Sequence, residues 1–388
     1  MNLLSVSSVF GTIGSVLLAI LILLAMITVH EFGHYMAGKA LGFKIDEFSI
    51  GFGPALLKHR KRNGELFSVR AVPLGGYCAF AGESGEETSA PSPFEECEKT
   101  VAEPEKKATF TSKPPWQRII VLISGALMNY ITAVVLIIVS FLAFGQMVVC
   151  INGVQYTEDY TVANSFVAGD VILEVEGRGI YLTSDLMEAL SGKDEGELAR
   201  FKVERGGKVT EIYVALRRDC HFKNSSQTSV LWSALGVDTE VRADGNAYWQ
   251  VSTVSRRFPF FESVGRSFAY SFKIAGTIFR VLGELLTGDL GLNAVGGPVT
   301  TIKLTSQIAS QGVQSFLEIA AYIGVNLAVF NLLPIPALDG SKVIFCLIEW
   351  IFRRPVPRKV EAVIHAAGFV LIIAFAVIVD IMQFAACG

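Results

Sequence analysis

Apolar residues along this chain are gathered into four long runs, separated by segments that alternate, turn or become polar. The runs are Gly11 to Ala37, Ile119 to Phe144, Phe316 to Leu338 and Val360 to Phe384. Each is as long as the ~20 residues a helix needs to cross a hydrocarbon core, so each is read as a membrane span. Phe258 to Leu286 is nearly as apolar, but its charges fall differently. Glu262, Arg266, Lys273, Arg280 and Glu284 are four, seven, seven and four apart, which places them on one stripe of a helix. An amphipathic helix in the outer interface accommodates such a stripe with little desolvation, and a fifth span does not.

The intervening segments carry other signals. Residues 41–82 contain Phe48 to Pro54 and Leu66 to Tyr77, rich in Gly and β-formers and joined by a turn at Arg60 to Gly64, so short membrane-associated strands are expected. Residues 83–115 are acidic and broken by Ser and Pro, the composition of a cytoplasmic loop. Residues 146–220 read as a small α/β domain. Within it lie a strand at Gly169 to Val175, a helix at Ser184 to Ser191, and a hairpin at Ala199 to Leu216 turning on Gly206 and Gly207. Residues 221–257 are polar and poorly patterned, hence a linker. The interfacial helix and its connector take 258–315, and 341–359 is expected to be a second cytoplasmic loop. The spans lie within 1–40, 116–145, 316–340 and 360–388.

Composition agrees with a membrane protein: 51% of the 388 residues are hydrophobic and only 18% charged. The first run has no basic residue before it and ends in polar residues, so it reads as a retained span and not as a cleaved signal peptide. Lys58, Arg60, Lys61, Arg62, Arg70, Lys113 and Arg118 lie between spans one and two, and Arg353, Arg354, Arg358 and Lys359 between spans three and four. By the positive-inside rule both loops are cytoplasmic and both termini extracytoplasmic. A bacterial plasma membrane is expected, since no organellar transit peptide precedes the first span. The net charge of -3 argues against a nucleic-acid partner. Among the 6 cysteines there is no CxxC pair, and Cys150 and Cys220 bracket the soluble segment either as a disulfide or as two buried thiols.

Chemistry is concentrated in two places. His30-Glu31-Phe32-Gly33-His34 closes the first span, and the chain has only 5 His. On a helix His30 and His34 project from one face, so both imidazoles can reach one metal with Glu31 beside the open position. Two His need a third ligand. Asp339, after the helix-breaking Pro334 and Pro336, is the acidic residue near the cytoplasmic end of another span. His59, His221 and His365 have no motif company and read as surface or interface residues. Asp380 is expected to face headgroups.

The segments His30 to His34 and Asn331 to Gly340 resemble the HExxH and NxxPxPxLDG motifs of the site-2 protease family of intramembrane zinc metalloproteases, most closely its bacterial regulator-of-sigma-E-protease type. Gly51 to Pro54, Val72 to Tyr77, Phe110 to Asn129, Leu286 to Asp289 and Gly296 to Pro298 extend the resemblance over most of the chain. Ala126 departs from the family's GPxxN segment, and Ser341-Lys342 from its Gly-His.

The resemblance implies a polytopic α-helical membrane protein of four transmembrane helices, with a cytoplasmic-side membrane-associated β-hairpin or sheet and a small extracytoplasmic PDZ-like domain. It implies one zinc per chain held by His30, His34 and Asp339 near the cytoplasmic side, Glu31 as general base, and Asn331 holding substrate or oxyanion. Val69, Arg70, Ala71, Asn129, Pro334 and Pro336 are candidate substrate contacts, Asn129 alternatively a bond between helices. An edge strand between Leu66 and Tyr77 could take an extended substrate. The expected partners are membrane lipids and single-span proteins such as anti-sigma factors and remnant signal peptides, already trimmed by an upstream site-1 protease. Two rivals remain. A silent scaffold would lack Glu31 or a ligand, and a metal transporter would show repeated halves.

Overall fold

The computed structural model describes residues 6–82, 109–155, 165–241, 246–292 and 295–386. Most of the acidic loop expected at 83–115 therefore lies outside the described residues. Two compact units divide the chain, one formed by residues 1–136 and 295–388, the other by 137–294.

The first unit begins with α1 (Val6–Ala40) and an antiparallel pair, β1 (Ile45–Arg60) and β2 (Leu66–Phe80). Both strands are long and fold back on themselves, so the pair makes four arms. Residues 55–60 pair with 66–70, and 45–50 pair with 76–80. The arms 47–50 and 66–69 also lie side by side, Glu47 with Leu66 through Ile50 with Val69. The arm containing Val69 is thus interior, flanked by Leu57 and Ile50, and the open edges are 55–60 and 76–80. This corrects the expectation of an edge beginning at Leu66. The doubling back comes from Gly51 and Gly53 (φ +87° and +82°) in one strand and Gly75 (φ +140°) in the other, conformations that cost glycine little.

Next comes α2 (Pro115–Ala143), whose C-terminal turns belong to the second unit. After that unit the chain returns through α6 (Pro298–Ala309), α7 (Val313–Leu332), α8 (Asp339–Phe352) and α9 (Arg358–Ala386), numbered in chain order. Four helices among the described residues are long and apolar enough to cross a membrane: Ile13–Ala40, Pro115–Ala143, Val313–Leu332 and Arg358–Gln383. Leu17, Leu21, Phe369 and Leu371 leave apolar surface exposed on α1 and α9, as lipid-facing positions do. One core joins Phe43, Phe48, Phe80, Phe110, Val121 and Cys346, tying α1, the sheet, α2 and α8 together. A second joins Ile22 and Met26 of α1 to Ala309 of α6 and Ala320 and Ile323 of α7.

Three expectations change here. Span three stops at Leu332 and does not run on to Leu338, because a residue before proline is driven out of the helical region, and Leu333 is extended (ψ 145°) ahead of Pro334. Much of the loop expected at 341–359 is helical, as α8, with Val343 and Cys346 packed into the first core. Asp380 does not face headgroups. Its Oδ2 accepts from the Val299 N–H at the start of α6 (3.2 Å), where the helix dipole favours a carboxylate.

The second unit holds β3 (Gln146–Ile151), β4 (Asp170–Val175), β5 (Arg178–Gly179), α3 (Thr183–Leu190), β6 (Leu198–Arg205), β7 (Lys208–Ala215), α4 (Thr228–Ala234), β8 (Thr239–Val241), β9 (Ala247–Trp249), β10 (Val251–Arg256) and α5 (Phe260–Thr287). The main sheet runs β10-β3-β4-β6-β7, with β5 beside β4. In β6, Ala199, Phe201 and Val203 alternate inward, and the turn to β7 puts Gly206 and Gly207 at φ 57° and 80°, as a two-residue type I′ hairpin requires. The fully buried Asp170 accepts two bonds from Arg205 (2.8 and 2.7 Å), which neutralises its charge inside the unit.

Residues 221–257 are not a linker. Leu231, Trp232, Leu235 and Val237 lie in the core beside Phe201 and Leu216, and β10 pairs along β3. Cys150 and Cys220 are free and buried, so the disulfide alternative falls. The Cys150 thiol is bonded to Asn152 Oδ1 at 3.4 Å, while burial pushes the Cys220 thiol up to about 11.

On α5 four residues of the charged stripe are paired within the unit, while Glu262 is exposed. Arg266 donates to Gln146 (2.6 Å), Lys273 pairs with Asp185 (3.0 Å), Arg280 with Glu188 (2.9 Å), and Glu284 accepts from Ser225. At 100° per residue, Ser263, Ser267, Ser271, Ile274 and Ile278 form a second, buried stripe, and Phe261, Phe268, Phe272, Phe279 and Leu286 a third, exposed one.

Candidate active site

His30 and His34 sit on the last turns of α1, one turn apart, with their rings edge to face at 4.7 Å between centroids. Their Nε2 atoms are 3.1 Å apart. The His34 Nδ1–H donates to the Val121 carbonyl of α2 at 2.7 Å, which fixes its tautomer and turns Nε2 inward. Close approach of α2 depends on Gly125. A Cβ there would lie 2.5 Å from His34 Nε2 and 2.8 Å from His30 Cε1, so only glycine leaves the imidazoles in place.

Asp339 arrives from the other end of the chain. Between α7 and α8 the backbone runs through Pro334 and Pro336, takes a left-handed residue at Ala337 (φ +78°), and is extended at Leu338 (φ -99°, ψ 163°). For a residue with a Cβ the Ala337 conformation costs about 1–3 kcal/mol, so surrounding contacts must hold it. Asp339 then opens α8. Gly340 allows the first turn of α8 to lie against the end of α7, since a Cβ there would be 2.6 Å from the Leu332 carbonyl oxygen.

The result is a three-donor cluster. Asp339 Oδ2 is 2.9 Å from His30 Nε2 and 3.0 Å from His34 Nε2, and all three groups are largely withdrawn from solvent. Zinc bonds of about 2.0–2.1 Å to a tetrahedral ion place ligand atoms roughly 3.3 Å apart, so two imidazole nitrogens and a carboxylate oxygen at this spacing suit zinc.

Next to the cluster is a cavity of ≈ 290 Å³. Glu31, Asn129 and Asn331 line its polar side, and Ile27, Leu327 and Leu338 its apolar side. Asn129 is fully buried, and neither polar atom of its amide has a partner among the described residues. Asn331 Nδ2 lies 3.4 Å from His30 Nδ1. A Cβ placed on Gly76, in the open arm 76–80, would be 3.5 Å from Glu31 Cγ, so that sheet edge runs beside the carboxylate.

The structure therefore brings together His30, Glu31, His34, Asn129, Asn331 and Asp339. It does not bring in the other candidates. Val69 and Ala71 are in or beside the interior arm, Pro334 is exposed, and Pro336 packs against Gly368 of α9. Arg70 is engaged within the sheet, donating to Glu47 (2.8 Å), Ser49, the Gly53 carbonyl and Tyr77. The Glu47 carboxyl would be raised by burial, but bonds from Ser68 and Arg70 hold it below the ordinary glutamate range. Reasoning from sequence gave Gly125 and Gly76 no role of their own, although both lie in segments that carry the family resemblance, Gly125 next to Ala126 and Gly76 within Val72 to Tyr77.

Comparison with known proteins identifies the family. The model of peptidase family M50 matches residues 18–375. A protein of Brucella suis biovar 1, named as a candidate zinc metalloprotease, is 30% identical over 367 residues, covering 94% of this chain and 93% of its own. Similarly named proteins of Clostridium perfringens (29% over 370 residues, 94% and 97%) and Mesorhizobium japonicum (28% over 368 residues, 94% and 96%) match over the same extent. The PDZ domain of an SdrC-like protein from Listeria innocua covers 28% of this chain and 97% of its own at 17% identity. Its TM-score is 0.16. With the family match spanning nearly the whole chain, the protein belongs to peptidase family M50, the site-2 protease family, and is a membrane zinc metalloprotease.

Proposed function

We propose that this protease cleaves peptide bonds within or near the transmembrane segments of single-span proteins that another protease has already trimmed, with anti-sigma factors and remnant signal peptides as the substrate class. The observation that carries the reading is the position of Glu31 and the His30, His34 and Asp339 donors beside one cavity, with His30, Glu31 and His34 on a helix apolar enough to cross a bilayer and Asp339 delivered by the link that follows another. A soluble substrate would not require the site to be placed there.

In this reading His30, His34 and Asp339 hold the zinc. Zinc so held supplies Lewis-acid chemistry, lowering the pKa of a water to about 7 and polarising a carbonyl. Glu31 takes the proton of the attacking water and returns it to the leaving amine. Asn331, whose Nδ2 lies 3.4 Å from the His30 ring, offers an amide to the developing oxyanion. The unpartnered Asn129 amide bonds the backbone of the unwound substrate, whose own helical hydrogen bonds must open first. The open arm 76–80, next to Glu31, supplies the edge to which that extended segment adds.

The charge pattern supports an orientation with both termini extracytoplasmic and the zinc nearer the cytoplasmic side, and the bacterial origin of the relatives supports a bacterial plasma membrane. The domain expected over 146–220, read as PDZ-like, and the α5 helix that follows it would exclude substrates whose outer domains have not been removed. The decisive experiment is capture. Glu31→Gln protein in native membranes, isolated and examined by mass spectrometry, should retain single-span proteins that the wild type releases as fragments. Recovery of the same proteins, uncut, with the wild type would favour a scaffold instead.

A further inference from the structure

The link between α7 and α8 must place Asp339 against two imidazoles from the other end of the chain, and it does so through a left-handed alanine. Something has to hold that backbone. The Ala337 N–H donates to His365 Nδ1 of α9 at 3.0 Å. Because a backbone N–H can only donate, Nδ1 must be the bare nitrogen and the ring proton must lie on Nε2. Glu361 Oε1 is 3.8 Å from that Nε2, one turn back on the same helix, and Phe345 of α8 packs on the ring at 5.7 Å between centroids. A few residues on, Gly368 lets α9 press against the link, where a Cβ would be 2.8 Å from the Pro336 carbonyl carbon. The link is thus clamped from α9 at two consecutive residues, two positions ahead of the carboxylate.

We infer that His365 is a positioning residue for the metal centre: by accepting the Ala337 N–H it holds the left-handed turn that delivers Asp339 to His30 and His34. It touches neither substrate nor the donor cluster. The inference rests on the reading of those three side chains as the zinc ligands, and the test below separates the two.

Full-length protein in detergent is titrated with zinc against a chromophoric chelator, and the absorption spectrum of the cobalt(II)-substituted protein is recorded. His365→Phe keeps a ring against Phe345 and loses the acceptor. Zinc affinity should fall by about 10- to 100-fold, the range for residues that orient metal ligands, and the cobalt bands should shift. His365→Asn, which keeps an acceptor near the Nδ1 position, should recover most of both. In an Ala337→Gly background, where the left-handed turn no longer needs holding, His365→Phe should cost much less. Asp339→Asn is the control. If His365→Phe binds zinc and cobalt like the wild type while Asp339→Asn loses them, the positioning role is wrong and the ligand reading stands. If Asp339→Asn also binds normally, the ligand reading itself is wrong. Should His365→Phe fail to fold, hydrogen exchange of the Ala337 amide in the wild type decides, slow exchange supporting the clamp and exchange at the rate of a free amide overturning it.

Discussion

His34 Nε2 and Asp339 Oδ2 stand 3.0 Å apart although their residues are 305 positions apart in the chain. Both are held from behind, His34 by the Val121 carbonyl and Asp339 by the opening turn of α8. Asp339→Asn should therefore strip the centre of its only anionic donor with little change in shape. Zinc measured by plasma mass spectrometry on the purified protein should drop well below one ion per chain, and cleavage should be lost with it. A full zinc complement would remove Asp339 from the ligand set.

Glu31 shares the cavity but is not one of the three donors. Glu31→Gln is expected to retain zinc and helix content while cleavage of a reconstituted single-span substrate slows by about 10²- to 10⁴-fold, the usual contribution of a general base. Cleavage within a few fold of wild type would assign proton transfer to another group.

Gly125 lets α2 approach both imidazoles, and a methyl group there falls 2.5 Å from His34 Nε2. Gly125→Ala should cost about 1–3 kcal/mol through overpacking. Chelator competition should also show weaker zinc binding, since the ring that must move is a donor. Unchanged affinity would mean that α2 yields instead.

Glu47 is held below the ordinary glutamate range by Ser68 and Arg70 in spite of its burial. A carboxylate lowered on folding binds its proton more readily in the unfolded chain, so its contribution is complete above the unfolded value of about 4.3 and is lost as pH falls through the lower folded one. The melting temperatures of wild type and Glu47→Gln should differ by a steady margin from neutral pH down to about 5, and converge below about 4. A gap that widens in acid would reverse the sign and exclude the ion pair as its source.

Much of this architecture can be read directly from residue order. Four apolar runs and the spacing of His30 and His34 are local facts, set by the length of a bilayer and the pitch of a helix. The hairpin on Gly206 and Gly207 is equally local, because two adjacent left-handed residues favour one turn. Where reading failed, a distant partner decided. The stripe of α5 suggested headgroups because nothing near it in sequence announces Asp185, Glu188 or Ser225 as its partners. Residues 221–257 looked like a linker because a short helix such as Thr228–Ala234 carries too few turns for its periodicity to show. The interior position of Val69 followed from strands that double back at glycines, which alternation cannot foresee.

Sequence alone determined the donor types, the base beside them and the apolar medium in which they work, since these depend on side-chain chemistry and on spacing within one helix. Tertiary structure decided which residues surround them. The unpartnered Asn129, the arm beside Glu31, the glycine facing the imidazoles and the clamp on Ala337 all arise where separate elements meet. Such meetings are fixed by packing and by the need to pair every buried polar group, and neither leaves a periodic trace along the chain.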